Sequence, residues 1–256
     1  LGLPSVSIVD IGIEGKFNGR SANRMPDLLL VTNRGCLNEF NLTGPAHPEV
    51  ILVGSAHLET LIQTSYSFDK SIISEFYGIP EESTLLAFFC VPNCDYSINA
   101  VNSLGALLPR TQLASATVII RPHPRMPNKR RLKDACSRSS SFVFDETNNI
   151  STPALTSFSK LSLSMASTVS LESMAVGTPS AFYQIGWDYT YYDDLYKNVE
   201  GIKRIRSADD FSNFISQSLS DGHQLDSLEI EHCIGALDRT WEALHTLAPS
   251  IQKTDK

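Results

Sequence analysis

The chain has 256 residues, of which 42% are hydrophobic and 19% charged, with a formal net charge of −7. That composition fits a globular protein able to bury a full core without staples. The acidic balance argues against a nucleic-acid binder, which carries a basic excess, so any anion site has to be local.

Short apolar runs alternate with longer amphipathic ones, the pattern of β-α units on a parallel sheet. The first predicted strand, Ser5 to Ile11, leads into "IVDIGIEGKFNGR", which places Asp10 and Glu14 in a glycine-containing loop where a carboxylate could act as general base. A second strand, Leu28 to Thr32, is followed by a helical pattern at about 35 to 42. "LTGPAHPE", residues 42 to 49, then breaks the pattern with Gly44, Pro45 and Pro48.

After that break the predicted strands are Val50 to Gly54, Leu85 to Cys90, Thr117 to Arg121, Phe142 to Phe144, Leu161 to Met165 and Ser180 to Gln184. Helical patterns fall at about 67 to 77, 97 to 107, 128 to 138, 153 to 158, 168 to 176 and Ala208 to Leu219. Last comes a stripe of Ile234, Leu237, Trp241, Leu244 and Ala248 at spacings of three and four, which predicts a helix packing through that face.

The fold expected is α/β, a Rossmann-like parallel-sheet domain preceded by the tail of a second one. Residues 1 to 48 read as the C-terminal part of an incomplete N-terminal Rossmann-like domain, 49 to 230 as a complete second one, and 231 to 256 as a terminal helix packing back on the first. The chain itself reads as a piece of a longer protein.

Five scattered cysteines, Cys36, Cys90, Cys94, Cys136 and Cys233, lack paired ligand spacing and read as buried thiols in a reducing compartment. No run reaches the roughly 20 apolar residues of a membrane span, and no secretory leader is read at the start. No acidic cluster suggests a metal.

Two stretches carry candidate chemistry. In "VIIRPHPR" a buried strand runs into Arg121-Pro122-His123-Pro124-Arg125. Ligands of open parallel sheets bind beyond the carboxyl ends of strands. Two prolines hold His123 on a stiff turn from which it can donate to a phosphate oxygen, with Arg121 and Arg125 adding positive charge. In "SMASTVSLESMAVGTP", Ser167 and Thr168 open a short helix that Gly177 ends. Its free N–H groups and two hydroxyls suit an anion, and Glu172, one turn on, suits the hydroxyls of a ribose. "GWDYTYYDDLYKN" adds a loop of aromatic rings that could stack on a sugar or base, with packing onto the sheet as the plainer reading.

Together these stretches resemble the C-terminal nucleotide-binding domain of the GT-B superfamily, which includes nucleotide-sugar glycosyltransferases and the UDP-N-acetylglucosamine 2-epimerases. The resemblance runs from "EVILVGSAHLETL" through "FYGIPEESTLLAFF" and "VIIRPHPR" to "STVSLESMAVGTPSAFYQ". The histidine-proline pair also resembles that of bacterial sialyltransferases and of capsule and teichoic-acid transferases. It implies that His123 meets donor phosphate, that Ser167 and Thr168 bind phosphate oxygens, that Glu172 holds ribose, and that Gly54 and Ser55 line an interdomain cleft.

The second glutamate of many retaining relatives is missing, because Ser164 stands eight positions before Glu172. The expectation is therefore an inverting, metal-independent glycosyltransferase using a CMP-, CDP- or UDP-linked sugar donor, with no tightly bound cofactor. Its acceptor would be a surface polysaccharide or glycolipid, and its place the cytoplasm or the inner face of the cytoplasmic membrane. The alternatives are a 2-epimerase-like isomerase, although Thr168-Val169 stands where the epimerases prefer a glycine-rich turn, and a non-catalytic nucleotide- or partner-binding relative.

Overall fold

The computed structural model describes residues 5–9, 26–37, 48–64, 69–147, 149–190, 201–220 and 232–252, with side chains described as far as residue 247. Asp10 and Glu14 lie outside the described residues, as does the aromatic loop beyond Thr190. The chain divides into two compact units. The first comprises residues 1–63, 192–201 and 226–256, and the second comprises 64–191 and 202–225.

In the first unit, β1 (Val6–Val9), β2 (Leu28–Val31) and β3 (Glu49–Leu52) form a three-stranded parallel sheet in that order, with Val6 level with Leu28 and Leu28 with Glu49. β2 is Leu-Leu-Leu-Val and buried throughout, as a central parallel strand covered on both faces requires. Alternation sends Leu29 and Val31 to one side, against Val9 and Cys36. Leu28 and Leu30 go to the other, against Val53 and Ala243.

β3 therefore belongs to this unit, not to the nucleotide-binding domain that the proline break at 42 to 49 was expected to open. Ladder pairing outweighs the local break: three consecutive parallel strands share one register, and the crossing to the second unit comes after Gln63.

Two longer helices belong to this unit among the described residues. α1 (Ala56–Gln63) has no strong periodicity, because its buried position 59 is a glutamate, and sequence reading passes over it. The terminal helix, labelled α8 below, runs Ala236–Gln252 and belongs to the same unit. Its packing face meets the expected stripe only in part: Leu244 does pack, with Ala243 and Leu247, on Leu28, Leu30 and Val53, whereas Ile234, Leu237 and Trp241 are exposed and the Ala248 side chain lies outside those described. The small Ala236 and Ala243 let the helix approach closely, whereas Trp241 stacks on His245 at 4.5 Å between ring centres.

Glu59, only 4% exposed, explains how α8 starts. Its Oε1 accepts from the Gly235 amide at 2.6 Å and its Oε2 from the Leu237 amide at 2.8 Å, which satisfies donors that a helix N-terminus leaves open.

The second unit is a six-stranded, all-parallel sheet in the order β6-β5-β4-β7-β8-β9. These strands are β4 (Leu85–Phe89), β5 (Thr117–Arg121), β6 (Phe142–Phe144), β7 (Leu161–Ser164), β8 (Ser180–Tyr183) and β9 (Lys203–Ile205). Renumbered within the unit they read 3-2-1-4-5-6, the Rossmann order, whose direction of winding reverses between β4 and β7. β9, Lys-Arg-Ile, has no apolar run and was not expected from sequence.

The helices of this unit are α2 (Lys70–Tyr77), α3 (Cys94–Leu107), α4 (Lys129–Cys136), α5 (Thr152–Phe158), α6 (Val169–Ala175) and α7 (Ala208–Ser220). Caps define several ends. Asp69 accepts from Ser71 N, Asn93 from Tyr96 N, and Ser151 from Ala154 N, while Gly78 closes α2 at φ 64°. Leu86, Ala87, Phe88, Ile119, Ile120, Leu161 and Leu163 have no exposed surface, so the sheet's centre is the core.

Candidate functional site

The last rung of the sheet aligns Arg121 of β5 with Phe89 of β4, and Phe89 with Ser164 of β7. Everything expected to carry chemistry in the second unit follows within a few residues of that rung. Strands lie about 4.8 Å apart, so the ends of β5 and β7, with β4 between them, are separated by roughly 10 Å. Between them the β4–α3 loop, Cys90 to Asn93, sits at the point where the winding reverses, the usual ligand crevice of such sheets. Sequence reading overlooked this loop. Its signal was Asn93 after a strand and three residues before Tyr96, whose amide it caps at 3.0 Å.

On the β5 side, Pro122 is buried, His123 half-buried, and Pro124 and Arg125 exposed. His123 Nδ1 accepts from the Arg125 amide at 3.1 Å, and its carbonyl accepts from Met126 N at 2.9 Å, closing a tight turn. With Nδ1 an acceptor, the neutral ring carries its proton on Nε2, and among the described residues no group bonds to that atom. The imidazole titrates below its ordinary range, first through burial and then through the charges of Arg125 and Lys129.

Arg131 pairs with Asp95 at 2.8 Å and Lys133 with Glu146 at 2.7 Å, whereas Arg125 and Lys129 have no acidic partner among the described residues. An uncompensated positive cluster thus stands at one sheet edge of an acidic protein.

Arg121, expected to add charge to this cluster, points the other way. Its side chain is 8% exposed and its Nε donates to Asp145 Oδ2 at 2.6 Å. Nη1 reaches Thr152 Oγ1 at 3.3 Å, and Nη2 reaches the Ile150 carbonyl at 2.8 Å and Tyr77 Oη at 3.4 Å. The reason is strand alternation: Arg121 lies on the face of Phe89, over whose ring its guanidinium sits at 5.8 Å, and that face is packed by α2 and α5.

On the β7 side, Ser167 and Thr168 precede α6, and Thr168 is in the N-cap position without a side-chain cap bond. Ser167 Oγ accepts from Val169 N at 3.3 Å, and Thr168 Oγ1 stands 3.5 Å from Glu172 Oε1, so these two side chains do share a side of the helix. Ser164 is not a surface residue at all; its hydroxyl pairs with that of Ser170 at 2.9 Å inside the fold. Gly177 ends the helix at φ 86°.

Gly54 and Ser55 fall in the first unit, whereas the candidates from Arg121 to Glu172 fall in the second. Gly54 has φ 83°, and a Cβ there would come within 2.7 Å of the His232 carbonyl, so its glycine is explained by local packing. The Ser55 hydroxyl caps α1, accepting from Leu58 N at 3.3 Å.

In the aromatic loop Trp187 is buried, donates to the Tyr183 carbonyl at 2.9 Å, and lies 5.9 Å from Tyr96 and 6.1 Å from Tyr189 between ring centres. The described rings pack on one another. The five cysteines are buried and in no disulfide, and burial lifts the thiols of Cys90, Cys94 and Cys136, the last to about 12. Among the described residues no group of three or more His, Cys, Asp or Glu is placed to hold a metal ion, and no helix is long and apolar enough to cross a membrane.

No protein-family model and no curated protein matches the sequence. Solved structures do match in fold. The UDP-GlcNAc 2-epimerase of Methanocaldococcus jannaschii superposes with a TM-score of 0.61 at 12% identity, over 95% of this chain and 77% of its own. Its complex with UDP-GlcNAc and UDP gives 0.59 at 12%, over 88% and 77%. The wall teichoic acid polymerase TagF, soaked with CDPG, gives 0.53 at 13%, over 89% and 58%. The calicheamicin glycosyltransferase CalG4 gives 0.53 at 10%, over 88% and 53%. The chain thus spans between about half and three quarters of these proteins.

The protein is an α/β protein of the GT-B type, with Rossmann-like parallel sheets. The likeness is one of fold.

Proposed function

We propose that the second unit binds the nucleotide of an activated sugar or sugar-like donor, and that the whole protein is a GT-B-type glycosyltransferase. The observation that carries the reading is the His123 turn. A neutral imidazole presents Nε2–H beside Arg125 and Lys129, at the carboxyl edge of a 3-2-1-4-5-6 sheet. That arrangement supports a role as a phosphate grip.

In this proposal Ser167 and Thr168 hold phosphate oxygens across the β4–α3 loop, and Glu172 accepts from the ribose. As the bond from sugar carbon to donor phosphate breaks, its electron pair passes to the phosphate oxygen. The His123 Nε2–H, with the Arg125 and Lys129 charges, stabilises the negative charge that builds there. An acceptor hydroxyl attacks the opposite face of the sugar carbon and gives its proton to a carboxylate acting as general base, a role for which the sequence offers Asp10 and Glu14; the outcome is inversion, with side chains in place of a metal at the leaving group. The acceptor class proposed is a surface polysaccharide or glycolipid, consistent with TagF among the structural neighbours. The proposed setting is cytoplasmic or peripheral to the inner membrane face.

A second reading, isomerisation of a UDP-linked amino sugar, is favoured by the longer and closer superposition on the M. jannaschii epimerase.

Thermal stability of the purified chain against CMP, CDP, UMP, UDP and GDP tests the reading. A ligand at 100 times its dissociation constant adds about 2.7 kcal/mol. One nucleotide should stabilise the parent and fail to stabilise His123→Ala, whose own melting temperature should stay near the parent's. No stabilisation by any nucleotide would refute the binding proposal for this chain. Conversion of the sugar donor with no acceptor present would select the epimerase reading.

A further inference from the structure

We propose that Arg121 is a positioning residue: its buried ion pair with Asp145 fixes the start of the Pro122–His123 turn and thereby the ring orientation and tautomer of His123, without contact to ligand. The inference rests on the reading of His123 as the phosphate contact for its functional meaning, but its geometry stands in the unliganded protein.

Arg121 ties four residues, from the β6–α5 connection, α5 and α2, to the end of β5. Its guanidinium holds Asp145, just past β6, the Ile150 carbonyl in the turn that follows, Thr152 at the start of α5, and Tyr77 at the end of α2. All three guanidinium nitrogens are engaged. The partner is equally committed: the Asp145 side chain has no exposed surface, and its amide donates to the Ile120 carbonyl at 3.0 Å, one residue before Arg121.

The Arg121 main chain is fixed as well. Its carbonyl accepts from Cys90 N at 3.0 Å, and it stands level with Phe89 in the ladder. Pro122 follows, with its φ set by the ring and no amide to donate. Beyond it only His123 separates this anchor from the turn in which the Arg125 amide reaches Nδ1. A rigid clamp on one side and a proline on the other leave the histidine little freedom. An ion pair removed from water does not in general stabilise more than an apolar pair would. What it adds at this site is direction, because the fork of Arg121 fits one arrangement of acceptors.

The test reads the ring itself. The full chain is labelled with nitrogen-15 at histidine, and the His123 signals are assigned by their loss in His123→Ala. In the parent without ligand, Nδ1 should show the shift of an acceptor and Nε2 that of a protonated nitrogen. Arg121→Lys keeps the charge but loses the fork, and should give an averaged tautomer together with UDP affinity weakened about tenfold or more, as for outer partners that orient a ligand. Asp145→Asn keeps the shape and an acceptor, and should show the same change to a smaller degree; it also serves if the lysine variant does not fold. Ile215→Val, a buried change in α7, controls for lost stability and should leave the His123 signals as in the parent.

A folded Arg121→Lys or Asp145→Asn with parental His123 signals would overturn the proposal. So would parental signals accompanied by abolished UDP binding, which would put Arg121 on the ligand. If the signals change as expected while the parent itself binds no nucleotide, the positioning role stands and the phosphate reading falls.

Discussion

Two residues on either side of Pro122 have opposite roles: Arg121, the last of β5, is turned into the fold against Asp145, and His123, in the turn beyond, is left at the edge with Nε2 open. The difference arises because the ladder ends at Arg121: pairing with Phe89 holds the arginine on the face it shares with that ring, whereas His123, beyond Pro122, belongs to the tight turn and no longer follows the strand. For His123 the consequence is a pH dependence of definite sign. Burial, then Arg125 and Lys129, lower the pKa of the free imidazole, while a bound phosphate would raise it. Binding then takes up a proton between the two values. Affinity rises as pH falls through that window and levels off below the pKa of the free protein. Calorimetric titration with UDP at pH 8, 7 and 6 should show tightening in the parent beyond that in His123→Ala, a comparison that removes the ligand's own titration. Identical pH profiles in the two proteins would take His123 off the phosphate. "RPHPR" announced the histidine because proline pairs constrain the chain wherever they stand. It could not announce the inward arginine, whose partner Asp145 is 24 residues away.

At the scale of elements, most strands and helices of the second unit were legible, because buried parallel strands are short apolar runs and their helices repeat at three and four. β5 and β6 match their expected bounds, Thr117–Arg121 and Phe142–Phe144. The failures have physical causes. α1 hides its period behind buried Glu59, whose desolvation is offset by two amides of a helix far along the chain. In α8 the buried face is centred on Ala243 and takes Leu244 and Leu247 with it, while hydrophobicity alone favours the larger Leu237 and Trp241, which are exposed. Substitutions tell the faces apart. Ala243→Leu should overpack the contact with Leu28, Leu30 and Val53 and cost about 1 to 3 kcal/mol. Trp241→Ala should stay within about 0.5 kcal/mol, as for surface changes. Denaturant midpoints read at constant slope measure both; a large loss from Trp241→Ala and none from Ala243→Leu would restore the expected stripe.

Over the whole molecule, charge and site are decoupled. A net charge of −7 repels anions at long range, while the cluster of His123, Arg125 and Lys129 attracts them locally. Raising salt from about 0.01 M to 0.1 M shortens the screening length from about 30 Å to 10 Å, and at 1 M it is about 3 Å. The first step should change UDP affinity little, because attraction and repulsion are both screened. The second should weaken it several-fold, because only the short-range attraction remains to be lost. Uridine, which carries no charge, should be insensitive throughout, and a salt-independent UDP affinity would remove charge from the account of binding.

The sequence by itself determined the class of the fold, an alternation of buried parallel strands and amphipathic helices, and the two stretches placed after β5 and β7. Such features are written in neighbouring residues, through hydrophobic period, proline stiffness and capping. Tertiary structure alone decided the strand order, with its reversal between β4 and β7, and the membership of β3 in the first unit. It alone decided, too, the face by which α8 packs and the inward pairing of Arg121. Each of these depends on which distant segment supplies a ladder partner, a packing surface or a counter-charge, and that choice is made by the energy of the assembled core and not by any local pattern.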